Sequence, residues 1–297
     1  MRRLIVNADD FGLTRGVNRA IAELHEQRKL TSATVMTRAF ATEDAIARSL
    51  MAPSLGIGCH VVLVDGEPVL PPSEIPTLTD PETGRFHPTS AGFLRRALTG
   101  SIRTGKILGQ IEAEAGAQIR LLQQNGLRLT HIDTHKHTHM FPAVLRPVLR
   151  AARSAGIAAV RNPFEPAWSR RATAHAPLVR RIEVSLLQRL EPAFRRIVAE
   201  HGFRTTEGAI GVLATGTLDA TTLRSLLKSV PPGTWELVTH PGYNDADLAR
   251  VHTRLKESRE TELEALQLIG EIAGLELIGF AQLPAAATSE PVKIHTK

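Results

Sequence analysis

Short apolar runs of strand length alternate with longer stretches of helical periodicity along most of the chain, and few architectures accommodate that alternation. Strand-like runs fall at 4–8, 34–36, 56–62, 129–133, 158–161, 209–213, 236–239 and 275–280. Between them, Ile107, Ile111, Ala115, Ile119 and Leu122 recur every three to four residues, as do Leu255, Leu263, Leu266 and Ile269 in a segment rich in Glu, Lys and Arg. Each set marks an amphipathic helix. Repeated βα units build a parallel sheet. Seven or eight such units in 297 residues, with no linker between them, predict one α/β domain over 1–283: a single TIM-like (β/α) barrel, closed or nearly closed. A doubly wound open sheet is the alternative. The proline-rich stretch 64–88 is too long for a simple connection and reads as a functional rim loop, and 284–297 reads as a flexible tail.

Composition narrows the function. With 42% hydrophobic and 22% charged residues the chain is globular, and no stretch reaches the roughly 18–20 apolar residues of a membrane span. The start, Met1-Arg2-Arg3-Leu4-Ile5-Val6, is too short for a signal sequence, so the expected location is the cytoplasm. Cys59 is the sole cysteine, which rules out an internal disulfide. A net charge of +6 with only 4% aromatics lacks the footprint of a nucleic-acid binder. Part of that charge is local. Arg170, Arg171, Arg180, Arg181, Arg189, Arg195 and Arg196 share a segment with Trp168, Leu178, Ile182, Leu186, Leu187, Leu190 and Phe194. The segment reads as a solvated helix face, with contact to a membrane surface or a lipid-linked substrate as the alternative.

Four places carry chemistry. The first strand ends in Asn7-Ala8-Asp9-Asp10-Phe11-Gly12, putting two carboxylates at a strand's carboxyl end, where β/α proteins build their sites. In extended backbone the two side chains diverge, so one can hold a cation while the other accepts a proton. In His131-Ile132-Asp133-Thr134-His135-Lys136-His137-Thr138-His139, a period of two would line up four imidazoles and a carboxylate on one strand face. Imidazole is the commonest zinc ligand, and the residues alone leave open which of His135, His137 and His139 binds. His60 interrupts the apolar run Gly58-Cys59-His60-Val61, and its neighbour Cys59 should face the other way and pack. His240, in Thr239-His240-Pro241-Gly242, stands at the mouth of a late strand and suits a proton donor; Arg161, before Asn162-Pro163, could orient a carboxylate.

These motifs, Val6-Asn7-Ala8-Asp9-Asp10-Phe11-Gly12, Gly58-Cys59-His60, Asp133-Thr134-His135-Lys136-His137-Thr138-His139 and His240-Pro241-Gly242, resemble those of the YdjC-like carbohydrate deacetylases, which include chitooligosaccharide deacetylases and hopanoid-associated members. The resemblance covers Met1 to about Leu283. It implies a hydrolase that removes the acetyl group from an N-acetylated sugar and releases acetate. It further implies that Asp10, His60 and His135 bind one divalent ion, that Asp9 is the base and His240 the acid, and that His137 and His139 support the site or the substrate. Zn²⁺ suits two imidazoles and a carboxylate, with Mg²⁺ the family's other candidate. The loop 64–72 leans towards the hopanoid-associated branch, and Met140-Phe141-Pro142 towards the chitooligosaccharide branch. The expected partner is therefore a free or lipid-linked N-acetylated sugar; self-association is left open. The competing classes are a sugar-binding or sensor protein without catalysis and a metal-dependent barrel hydrolase of other esters or amides.

Overall fold

The computed structural model describes residues 1–103, 105–173, 176–270 and 274–284. The tail expected at 284–297 lies, from residue 285 on, outside the described residues. Among them, seven strands form one sheet: β1 (Arg2–Phe11), β2 (Ser32–Met36), β3 (Gly56–Val61), β4 (Leu129–Thr134), β5 (Ala209–Ile210), β6 (Gly233–Thr239) and β7 (Leu275–Leu277). Every pairing is parallel, in the order β4-β3-β2-β1-β6-β5. β1 is the keel. β6 pairs along one of its edges, while β7 takes Arg2 to Leu4 and β2 takes Asn7 to Phe11.

The helices are α1 (Arg15–Glu26), α2 (Thr42–Met51), α3 (Ser90–Arg103), α4 (Lys106–Gln124), α5 (Pro142–Ser154), α6 (Ala167–Ala172), α7 (Leu178–Leu187), α8 (Glu191–Glu200), α9 (Ala220–Ser229), α10 (Ala246–Ala249) and α11 (Glu257–Ala265). α1, α2 and α4 pack on β1, β2 and β3. β1 is buried from Leu4 to Phe11 because a parallel strand is covered on both faces. α1 starts where the Thr14 hydroxyl accepts from Val17 N–H, and it buries Val17, Ala20, Ile21 and Leu24 at helical spacing. Each fully buried aliphatic side chain contributes about 1.5–3 kcal/mol relative to exposure.

The sheet curls into a half-barrel whose closure is weaker than a TIM barrel requires. Among the described residues its outer strands, β4 and β5, do not pair with each other: isolated bridges run from Ile132 of β4 to Val160 and from Ala159 to Arg204, and β5 reaches the same segment through Ala209 N–H, which donates to the Phe164 carbonyl at 3.0 Å. The strand expected at 158–161 is thus reduced to isolated bridges, with Arg161 N–H donating to the Ile132 carbonyl and Val160 N–H to the Arg204 carbonyl. The run at 209–213 stops after Ile210 because Gly211 adopts φ +85. The proline-rich segment follows β3 and is tied down by side chains of α4 and of the turn after β4. Glu114 of α4 accepts from the N–H groups of Val69 and Leu70, and Lys136 Nζ reaches Asp65 at 2.7 Å.

The histidine run departs from period two. β4 ends at Thr134, a 3-10 turn covers His135 to Met140, and Lys136 and His137 adopt left-handed φ of 54° and 52°. His131 and Asp133 therefore belong to the strand, whereas His135, His137 and His139 fan out from the turn. His131 stacks on Phe280, ring centroids 3.8 Å apart, against Gly58 of β3, where an added Cβ would sit 2.5 Å from the imidazole. Burial drives the His131 pKa down to about 3 against the attraction of Asp133. The folded state thus binds this proton less readily than the unfolded chain. Its contribution to stability is complete above about pH 6.5 and is lost as pH falls towards 3. A His131→Gln variant is expected to flatten the pH dependence of stability between pH 6.5 and 4, by up to about 1.4 kcal/mol per pH unit. Urea unfolding of both proteins at several pH values tests this, and parallel curves would refute it.

Candidate metal centre

β1 carries two site aspartates because its regular alternation breaks. Ala8 pairs with Ala33 and Phe11 with Val35, so Asp9 and Asp10 together face the single residue Thr34. This is a β-bulge, with Asp10 at φ +61. In straight strand the adjacent side chains would point to opposite faces; the left-handed turn at Asp10, a conformation Asp tolerates, brings both carboxylates to the rim. Gly12, at φ +107, closes the turn, and its N–H donates to Asn18 Oδ1 at 2.7 Å.

Three donor atoms converge above the strand ends. Asp10 Oδ1 lies 3.6 Å from His60 Nε2 and 3.5 Å from His135 Nδ1, and the two ring nitrogens are 3.3 Å apart. His60 is aimed by Asp133, whose Oδ1 meets Nδ1 at 2.8 Å. In the neutral ring a proton on that side leaves Nε2 as a lone pair facing the other two donors, the carboxylate–histidine arrangement that orients metal ligands. Burial opposes charge on His60, but Asp133, with Asp9 and Asp10, outweighs it and pushes the pKa up to about 9. Burial also opposes charge on Asp10. Arg259, donating to Oδ2 at 2.6 Å, and His135 hold that carboxyl well below its usual range. Asp10, His60 and His135 thus form a group able to hold one cation, and His135 is its half-buried member.

A second group, Asp9, His60 and Asp133, also lies close together, but a guanidinium already serves it. Arg161, wholly buried, contacts Asp9 with both terminal nitrogens at 2.7 and 2.6 Å, Asp133 at 2.5 Å and Glu236 at 2.6 Å. The fork satisfies carboxylates bidentately. Asp9 also accepts from Asn7 at 3.0 Å and faces His240 Nε2 at 3.8 Å. His240 is buried, which lowers its proton affinity, yet Glu262 on its other side and the two rim aspartates raise the pKa overall. Glu236 is shifted up to about 7, chiefly by burial.

The remaining candidates are placed apart from the donor triangle. His139 is fixed beneath the rim, Nδ1 against Thr134 Oγ1 at 2.7 Å and Nε2 against the Arg161 carbonyl at 3.2 Å. His137 packs edge-on to it, and burial holds its pKa well down. Cys59 lies in the core, where burial raises its thiol pKa. Arg259, Glu236 and Glu262 were not anticipated from the sequence. Glu236 did leave a signal, a lone charge in the apolar run Trp235-Glu236-Leu237-Val238. Arg259 left none, since its α11 reads as a solvated helix.

Fold and donor set define a β/α half-barrel protein with an Asp-His-His group able to hold a cation at the carboxyl ends of its strands. The family model of the YdjC-like proteins matches residues 3–268, and the chain belongs to that family. It is 43% identical over 150 residues to a carbohydrate deacetylase of Brevibacillus brevis, an alignment spanning 50% of this chain and only 55% of that protein. It is 26% identical over 274 residues to a carbohydrate deacetylase of Thermoanaerobacter pseudethanolicus, covering 91% and 94% of the two chains. Among solved structures, an Enterococcus faecalis V583 protein named for cellobiose-phosphate cleavage superposes with a TM-score of 0.71 at 25% identity, covering 94% of this chain and 97% of the other.

Proposed function

We propose that the chain is a metal-dependent hydrolase that removes the acetyl group from an N-acetylated sugar, a chitooligosaccharide or an acetylglucosaminyl lipid, and releases acetate. The observation that carries this reading is the convergence of Asp10, His60 and His135 beside an aspartate, Asp9, that stands outside the donor triangle. Donors about 2.0–2.1 Å from a tetrahedral ion sit roughly 3.3–3.4 Å from one another, against about 2.9 Å around an octahedral one. The observed 3.3–3.6 Å favours Zn²⁺ over Mg²⁺.

A divalent ion at these donors supplies Lewis acidity, lowering the pKa of water and stabilising negative charge on an acetamide oxygen. The protein provides the rest. Asp9, held in one orientation by the Arg161 fork and Asn7, takes the proton of the attacking water. His240, whose pKa is raised against burial by Glu262 and the two rim aspartates, gives a proton to the departing sugar amine, which leaves poorly until protonated. Glu262 accepts from the His240 backbone N–H at 2.6 Å, and its charge, 3.8 Å from Nδ1, favours the protonated ring.

Mass spectrometry for loss of an acetyl group, run across chitooligosaccharides, acetylglucosaminyl lipids and a phosphoester panel, tests the reaction. Cleavage of phosphoesters alone would reject it, and tight sugar binding with no acetate released would make the protein a binder. His240→Ala is expected to lower acetate release by about 100-fold or more with the metal content kept. Unchanged turnover would move the acid role to another group.

A further inference from the structure

We propose that α7 docks the protein onto the surface of an anionic lipid bilayer. Four of its apolar side chains face outward: Leu178 is 71% exposed, Val179 79%, Ile182 53% and Leu186 54%. At about 100° per residue these positions fall within one arc of roughly 100°. Val184, on the opposite side, is buried with Ala176 and Leu213. The helix therefore has an inner face that anchors it and an outer apolar face that no described residue covers.

Its position and charge single out the occupant. Leu213 follows β5, and Arg180 donates to the carbonyl of Val212 at 3.3 Å, so α7 lies on the rim where the carboxyl ends of the strands open. Residues 167–200 carry seven arginines and three glutamates. Arg171 and Arg189 are exposed, and Arg170 bonds to Ser185 of α7 itself. Pairing two copies through the stripe would bring these arginines face to face, a like-charge cost. A layer of phosphate headgroups instead pairs with them while the stripe enters the acyl boundary.

The test is flotation of the full chain with vesicles of phosphatidylcholine, alone or mixed with phosphatidylglycerol. The chain is expected to float with the mixed vesicles and to stay behind with the neutral ones. Ile182→Ser/Leu186→Ser and Arg171→Gln/Arg189→Gln should each weaken binding about tenfold, with unfolding temperature and hydrolysis of a water-soluble substrate unchanged. Absence of flotation, equal flotation of the wild type and the apolar variant, or a concentration-dependent dimer that this variant makes monomeric would each overturn the proposal, the last assigning the stripe to a second copy. Because the readout is binding, the result stands apart from the enzymatic reading.

Discussion

Replacing Asp9 by asparagine is expected to lower turnover by about 100- to 10,000-fold while the purified protein keeps its full metal content. The two properties should separate because the proposed donors are Asp10, His60 and His135, while both Asp9 oxygens are taken up by Arg161. Asparagine preserves the shape and one acceptor, but it cannot take a proton from water. His135→Ala should behave oppositely, losing metal and turnover together, since it removes one of three donors and opens the half-buried side of the site. Elemental analysis of both variants beside an acetate-release assay separates the roles. Full activity in Asp9→Asn would end its assignment as base, and retained metal in His135→Ala would end that residue's assignment as ligand.

The second large effect falls on folding. Arg161→Met would leave Asp9, Asp133 and Glu236 buried around a cavity with no cation. Breaking a buried charge network by removing one partner typically costs about 3–5 kcal/mol, a large share of a domain's stability. Adding Glu236→Gln to the same protein should recover part of the loss, because Glu236 is already driven towards its neutral form, with a pKa of about 7. Urea unfolding of the single and double variants measures both steps. A single variant as stable as the parent would mean that the three carboxylates do not depend on the guanidinium.

Much of the architecture was legible in the sequence because burial on both faces of a parallel strand leaves continuous apolar runs, as in 4–8 and 56–62. The chemistry-bearing residues were visible for the converse reason: His60 and Asp9-Asp10 interrupt those runs. What stayed hidden was geometry set by single dihedral angles and by distant partners. Nothing local announces that Asp10 turns left-handed, or that the chain does so again at Lys136 and His137 and ends the expected alternation. Arg259 meets Asp10 from 249 positions away, and its spacing on α11 is that of an ordinary surface arginine. The weak closure between β4 and β5 was equally unreadable, since 158–160 is as apolar as a true strand.

Asp10 rides on the one strand gripped by three others, and its two co-donors sit on or just past β3 and β4. The loop 64–88, which follows β3 and meets Lys136 through Asp65, belongs to none of those seats. On the proposed function, variation in that loop would reshape what enters while the three donors stay put, making choice of sugar and retention of metal separately heritable traits.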